Sequence, residues 1–103
     1  MLSICPDGPG RYTAWDGEIA LGGCTWRAEG DATVIEGLWL EDEADAALLD
    51  GLVRTALFAG EREGRSYGEI SPAAAERFAD VLHTLGLPLS RTALEDLPKK
   101  CGH

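Results

Sequence analysis

Basic residues are scarce in this 103-residue chain: nine Lys and Arg stand against eighteen Asp and Glu, a formal charge of −9. A phosphate backbone needs clustered cations to neutralise it, so this balance excludes a general nucleic-acid binder. No apolar run approaches the length of a membrane span, and no basic flank followed by an apolar stretch opens the chain. Neither an anchor nor a secretion signal is expected, and the expected compartment is the cytoplasm. Cysteine is limited to Cys5, Cys24 and Cys101, an odd number at wide spacing with no Cys-x-x-Cys pair, so free thiols are expected. Cys101-Gly102-His103 sets a thiol near an imidazole but offers only two ligands on a tail, and His83 has no second ligand at helical spacing. No metal site is expected.

What is present is the composition of a globular domain, 45 % apolar and 26 % charged, and the length of one domain spanning 1–103. The acidity belongs to the first half. Residues 1–60 carry eleven acids and three bases, whereas residues 61–103 carry seven acids and six bases. The densest acidic cluster is Glu41, Asp42, Glu43 and Asp45.

The segment from Tyr12 to Leu40 predicts an antiparallel meander. Tyr12-Thr13-Ala14-Trp15 is rich in strand formers, and Asp16-Gly17 is a hairpin signal because glycine tolerates the positive φ of a tight turn. Ile19 to Arg27 makes a second strand, Glu29-Gly30-Asp31 a turn, and Thr33 to Leu40 a third strand. Alternation places Val34, Leu38 and Leu40 on one face of that strand and Ile35 and Trp39 on the other, which implies burial on both sides. Trp15, Trp26 and Trp39 are expected to be chiefly structural, as aromatic rings on a pleated surface.

From Glu43 to Gly60 the apolar period becomes helical, with acids at the start that suit the positive end of the helix dipole. Ser66 to Ile70 reads as a short strand. Ser71-Pro72 opens a second helix, with Ala75, Phe78, Ala79 and Leu82 as its apolar stripe and Gly86 and Pro88 ending it. Thr92 and Glu95 stand at capping-box spacing and suggest one more short helix in the 88–103 tail. The expected order is β-β-β-α-β-α: a mixed, mostly antiparallel α/β sheet of the α+β kind, with one βαβ crossover.

That order, with Asp16-Gly17-Glu18-Ile19, the long strand Val34 to Leu40, the helix carrying Ala47-Leu48-Leu49 and Gly51-Leu52-Val53, and the closing Leu85-Gly86-Leu87, resembles the GNAT superfamily of acetyl-CoA-dependent N-acetyltransferases. The resemblance covers residues 12–87 and is to a truncated, divergent member that lacks the first strand and paired helices. The superfamily holds the cofactor pyrophosphate on Gln/Arg-x-x-Gly-x-Gly/Ala between its fourth strand and third helix. Here the two glycine positions fall on Glu43 and Asp45, and the connecting stretch is several residues too short. Carboxylates in place of a phosphate cradle repel coenzyme A. The family's last helix often carries a Tyr four residues before its closing Gly, and here that position is Leu82.

Glu36 is the one candidate base, because the resemblance places a carboxylate on the corresponding strand and partial burial suits a base working near neutrality. Its plainer reading is an exposed strand residue without a partner. The expected function is therefore a non-catalytic binding or self-association module with an acetyltransferase-like fold, without cofactor. The alternative is a divergent N-acyltransferase that uses acetyl-CoA. A calcium-type site on Asp42, Glu43 and Asp45 lacks the spaced ligands and turn glycine. Homodimerisation is expected through an open edge at Tyr12 to Trp15, whose exposed strand invites a second chain.

Overall fold

In the computed structural model, which describes residues 2–97, the chain forms a mixed α+β fold around one six-stranded sheet. The strands are β1 (Leu2–Pro6), β2 (Arg11–Asp16), β3 (Ile19–Glu29), β4 (Ala32–Leu40), β5 (Tyr67–Ile70) and β6 (Thr92–Ala93), and they lie in the sheet in chain order. All neighbours are antiparallel except β4 and β5, which run parallel because the helix α1 (Ala46–Arg62) crosses over between them. The Asp16-Gly17 turn forms as its chemistry predicts, with Gly17 at a φ of 62°.

The N-terminal segment departs from expectation. Leu2–Pro6 pairs antiparallel with β2 along its whole length, so β2 is an interior strand and the expected open edge at Tyr12 to Trp15 is closed. The edge on this side of the sheet is β1. This segment is short and only partly apolar, and its strand character comes from a neighbour that offers a full row of main-chain partners.

A bulge in β4 overturns the expected division of faces. Thr25 pairs with Gly37 but Trp26 pairs with Ile35, leaving Glu36 as the extra residue. One inserted residue reverses the alternation beyond it. Ile35, Leu38 and Leu40 therefore share the helix-covered face and pack into the main core, whereas Val34 and Trp39 fall on the opposite face. Val34 is buried there, but Trp39 is 45 % exposed.

Helix α1 covers the sheet with Leu48, Leu49, Leu52, Val53, Ala56 and Leu57. It begins three residues later than the acidic run suggests, because Asp45 is its N-cap and accepts a hydrogen bond from Leu48 N–H at 3.0 Å. Glycines let the layers approach closely. A Cβ on Gly60 would stand 2.0 Å from Thr33 Oγ1, and one on Gly68 would stand 2.7 Å from Leu57 Cδ2. Just beyond the helix, Arg65 Nε donates to Thr33 Oγ1 at 2.8 Å while its guanidinium lies 5.0 Å from the Trp26 ring centroid. Asp50, on the buried face, is ion-paired with Arg54 at 2.8 Å.

The second expected helix is two pieces, α2 (Pro72–Ala75) and α3 (Ala79–Thr84), with Phe78 between them. Ser71 caps α2 by accepting from Ala74 N–H. Phe78 and Leu82 are buried, as is Ala75, whereas Ala79 is exposed. Gly86, with a φ of 74°, closes α3 through Leu87 N–H to Leu82 C=O and Gly86 N–H to His83 C=O. The expected tail helix is instead β6, paired with β5, and a single 3-10 turn at Leu94–Asp96. Pairing with β5 gives Thr92 and Ala93 main-chain partners that a short isolated helix lacks. No helix among the described residues is long and apolar enough to cross a membrane.

Ala is ordinarily favoured over Gly within a helix by about 1 kcal/mol. Gly60→Ala is expected to reverse that sign, because the new methyl collides with the main body of Thr33. Thermal unfolding should show destabilisation of about 2 kcal/mol, a fall in Tm of roughly 10 °C; an unchanged or raised Tm would contradict the packing described.

Candidate functional site

The residues singled out from the sequence lie on separate parts of the fold. Glu36 sits at the β4 bulge, exposed, with its Oε1 2.5 Å from Arg27 Nε. It belongs to a chain of surface ion pairs: Arg27 also pairs with Glu29, Glu29 pairs with Arg91 at 2.5 Å, and Arg91 pairs with Glu69 at 2.7 Å. Hydrogen bonds from Arg27 and then Arg91 hold the Glu29 carboxyl below its usual range, and the same partner raises both guanidinium groups further. Register explains the cluster, since Arg27, Val34 and Glu69 form one row across β3, β4 and β5 on the face away from α1. The network thus roofs Val34 and engages the candidate base.

Within the acidic run Glu41 to Asp45, Asp42 and Asp45 serve the helix entrance. Asp42 accepts from Ala44 N–H at 3.0 Å, Asp45 caps α1, and Glu43 pairs with Arg77 at 2.9 Å. Of the two positions where the resemblance expects cradle glycines, Asp45 therefore supplies the negative charge that the helix N-terminus attracts, and Glu43 is neutralised by Arg77. Among the described residues no three His, Cys, Asp or Glu side chains converge on a point that could hold a metal ion.

The remaining candidates are dispersed. Cys24 is buried, its Sγ donating to Leu52 C=O at 3.7 Å. Burial pushes its thiol up to about 12, against a smaller opposing effect of a main-chain hydrogen bond at Tyr12. The thiol therefore stays protonated, as an inert core residue. Cys5 is exposed on β1, and His83 is exposed in the last turn of α3. Cys101 and His103 lie outside the described residues. Trp15 and Trp26 are half-buried, in keeping with a structural role, but Trp39 is not.

Two features escaped the sequence reading. One is the unpaired outer edge of β1. The other is a groove of about 320 Å³ on the sheet face away from α1, lined by Arg11, Thr25, Gly37 and Trp39. A larger cleft of about 390 Å³ lies at the far end of α1, where Asp31, Glu61 and Glu95 make its lining acidic beside Arg65, Ser66 and Tyr67. The signal for the groove was the Glu36-Gly37 pair inside an otherwise apolar strand, a combination that marks a bulge.

No protein-family model matches the chain, and no curated protein or solved structure matches it.

The sign of the pH dependence follows from Glu29. Its folded-state carboxyl is held below the reference value of 4.5, so its stabilisation is present above 4.5 and is lost as pH falls through the lower folded value. Urea midpoints of the wild type and Glu29→Gln should differ at neutral pH and converge on acidification. Salt should shrink the difference because the pairs are exposed. A gap that widens in acid would contradict the assignment.

Proposed function

We propose that the protein is a non-catalytic self-association module whose homodimer forms by pairing of two β1 strands. The observation that carries this reading is the outer edge of β1. It is a five-residue strand at one end of the sheet, with no Lys, Arg or bulge among Leu2–Pro6 and with its one proline, which lacks an N–H, confined to the last position, and Leu2 is 54 % exposed. Unpaired main-chain donors and acceptors on such a strand are a template for another chain. The opposite edge, β6, is only two residues long. Ile19, 64 % exposed beside Asp16 at the start of β3, adds apolar surface near the same end of β1. A twofold axis through β1 satisfies both copies with one self-complementary contact and makes a continuous twelve-stranded sheet from two six-stranded ones.

The acetyltransferase resemblance supplies the alternative reading, a divergent N-acyltransferase, and two observations weigh against it. The N-terminus of α1 is already occupied by the Asp45 carboxylate. The residues joining β1 to β2, Asp7 to Gly10, leave no room for the paired helices that the resemblance calls for at that point. Isothermal calorimetry with acetyl-CoA is accordingly expected to show no saturable heat in the micromolar range. A micromolar complex would favour the alternative.

Sedimentation should report a dimer at high micromolar concentration. The charge of −9 opposes association, and salt screens that repulsion over a Debye length of about 8 Å at physiological strength, so dimerisation should strengthen as salt is raised. Ser3→Lys and Cys5→Lys place like charges along the seam and should weaken it at least about tenfold while leaving the circular dichroism of the monomer unchanged. An 11.0 kDa species at every salt concentration would exclude the dimer.

A further inference from the structure

β4 parts from β5 after Ile35, bulges at Glu36 and continues to Leu40 paired only with β3. On the face away from α1 this stretch floors the 320 Å³ groove, at the low end of the roughly 300–1,000 Å³ typical of small-ligand clefts. Register sets its chemistry. Arg11, Thr25 and Gly37 form one row across β2, β3 and β4, placing a guanidinium, a hydroxyl and bare main chain side by side. Cys24 and Leu38 also line the groove, but their side chains turn to the helix layer, so they offer main-chain atoms.

Trp39 forms the remaining wall. A Cβ on Gly23 would stand 2.6 Å from Trp39 Nε1 and 3.3 Å from Cε2, so the indole lies over that glycine. Its other surface is open, which accounts for its 45 % exposure on a strand whose neighbours are packed. A large aromatic ring covered on one side and bare on the other is a stacking platform.

Arg11 is the second, independent sign. Arg27, Arg54, Arg65, Arg77 and Arg91 each pair with a carboxylate, and Arg62 lies in the last turn of α1, where the helix dipole favours a cation. Among the described residues Arg11 has neither compensation. Arg11 is exposed, so its guanidinium is free to meet an anion in the groove that it lines together with Trp39. One guanidinium balances one negative charge. A phosphate dianion would carry surplus charge into the field of a protein at −9, whereas a monocarboxylate would not.

We infer that this groove binds a small planar aromatic monocarboxylate. Its carboxylate lies across the Arg11 fork, its ring stacks on Trp39, and Gly37 lets it approach the sheet, with the Thr25 hydroxyl in reach as a further donor. The groove does not involve the outer edge of β1, so this inference goes beyond the dimer and stands or falls separately from it.

The test is a titration of the full chain with 2-naphthoate, followed by ¹H–¹⁵N spectra at the Trp39 indole N–H and the Gly37 amide. Two controls each remove one element: 2-naphthamide keeps the ring without the charge, and cyclohexanecarboxylate keeps the charge without the ring. Saturable shifts at both sites are expected with 2-naphthoate, and each control should bind at least about tenfold more weakly. Arg11→Gln, an exposed position, should erase the preference over the amide; Trp39→Leu should erase the preference over the saturated acid. Ser3→Lys should leave binding intact. Absence of saturation up to about 10 mM, shifts confined to other residues, or preferences unchanged in Arg11→Gln and Trp39→Leu would overturn the assignment.

Discussion

The close seating of α1 on the sheet is the constraint from which the other features follow. Helix and strands meet where glycine stands on one side of the contact: Gly60 over Thr33, Gly68 under Leu57, and Gly22 beneath Leu40 and Leu52. At such distances a side chain has no room, so the helix axis cannot shift without losing dispersion contacts along its whole buried face. The crossover then fixes β4 and β5 as parallel neighbours, and Arg65, hydrogen-bonded to Thr33 and lying near Trp26, ties the far end of the helix to the same rows.

With one face of the sheet sealed, the β4 bulge decides what the other face presents. Glu36 is the inserted residue, and its insertion sends Ile35, Leu38 and Leu40 into the core while Val34 and Trp39 face away. Two different surfaces result along one strand. Before the bulge, Arg27, Glu29, Glu69 and Arg91 form a charged roof beside Val34. After it, where β5 no longer pairs, the surface is an indole, a hydroxyl, a glycine and the uncompensated Arg11. The boundary between a closed ionic surface and an open groove is thus one residue wide.

Charge is used in the same local manner. The chain carries twice as many acids as bases, yet the structure assigns three of the four acids of its densest cluster to particular tasks: Asp42 and Asp45 bind main-chain N–H groups at the entrance to α1, and Glu43 meets Arg77, which lies 34 residues further along the chain. A helix end that could hold a phosphate is neutralised by the protein's own carboxylate.

What the sequence by itself determined was local. Asp16-Gly17 specified its turn, Ser71-Pro72 its helix start and Gly86 its helix end, because each depends on the conformational range or hydrogen bonding of the residues concerned. The long apolar period of α1 and the parallel crossover were equally legible, since burial of a stripe and the hand of a connection need no distant information. What only the tertiary structure decided was every feature whose energy comes from a partner remote in the chain. Leu2–Pro6 and Thr92-Ala93 are strands because β2 and β5 offer hydrogen bonds to them, and neither segment carries a strong pattern of its own. Trp39 is a surface ring because a bulge three residues earlier reversed its face, and Glu36 is ion-paired because Arg27 stands across the register. Periodicity reads one strand at a time, whereas register is a property of two, so the chain could announce its elements while leaving to their pairing which side chains meet.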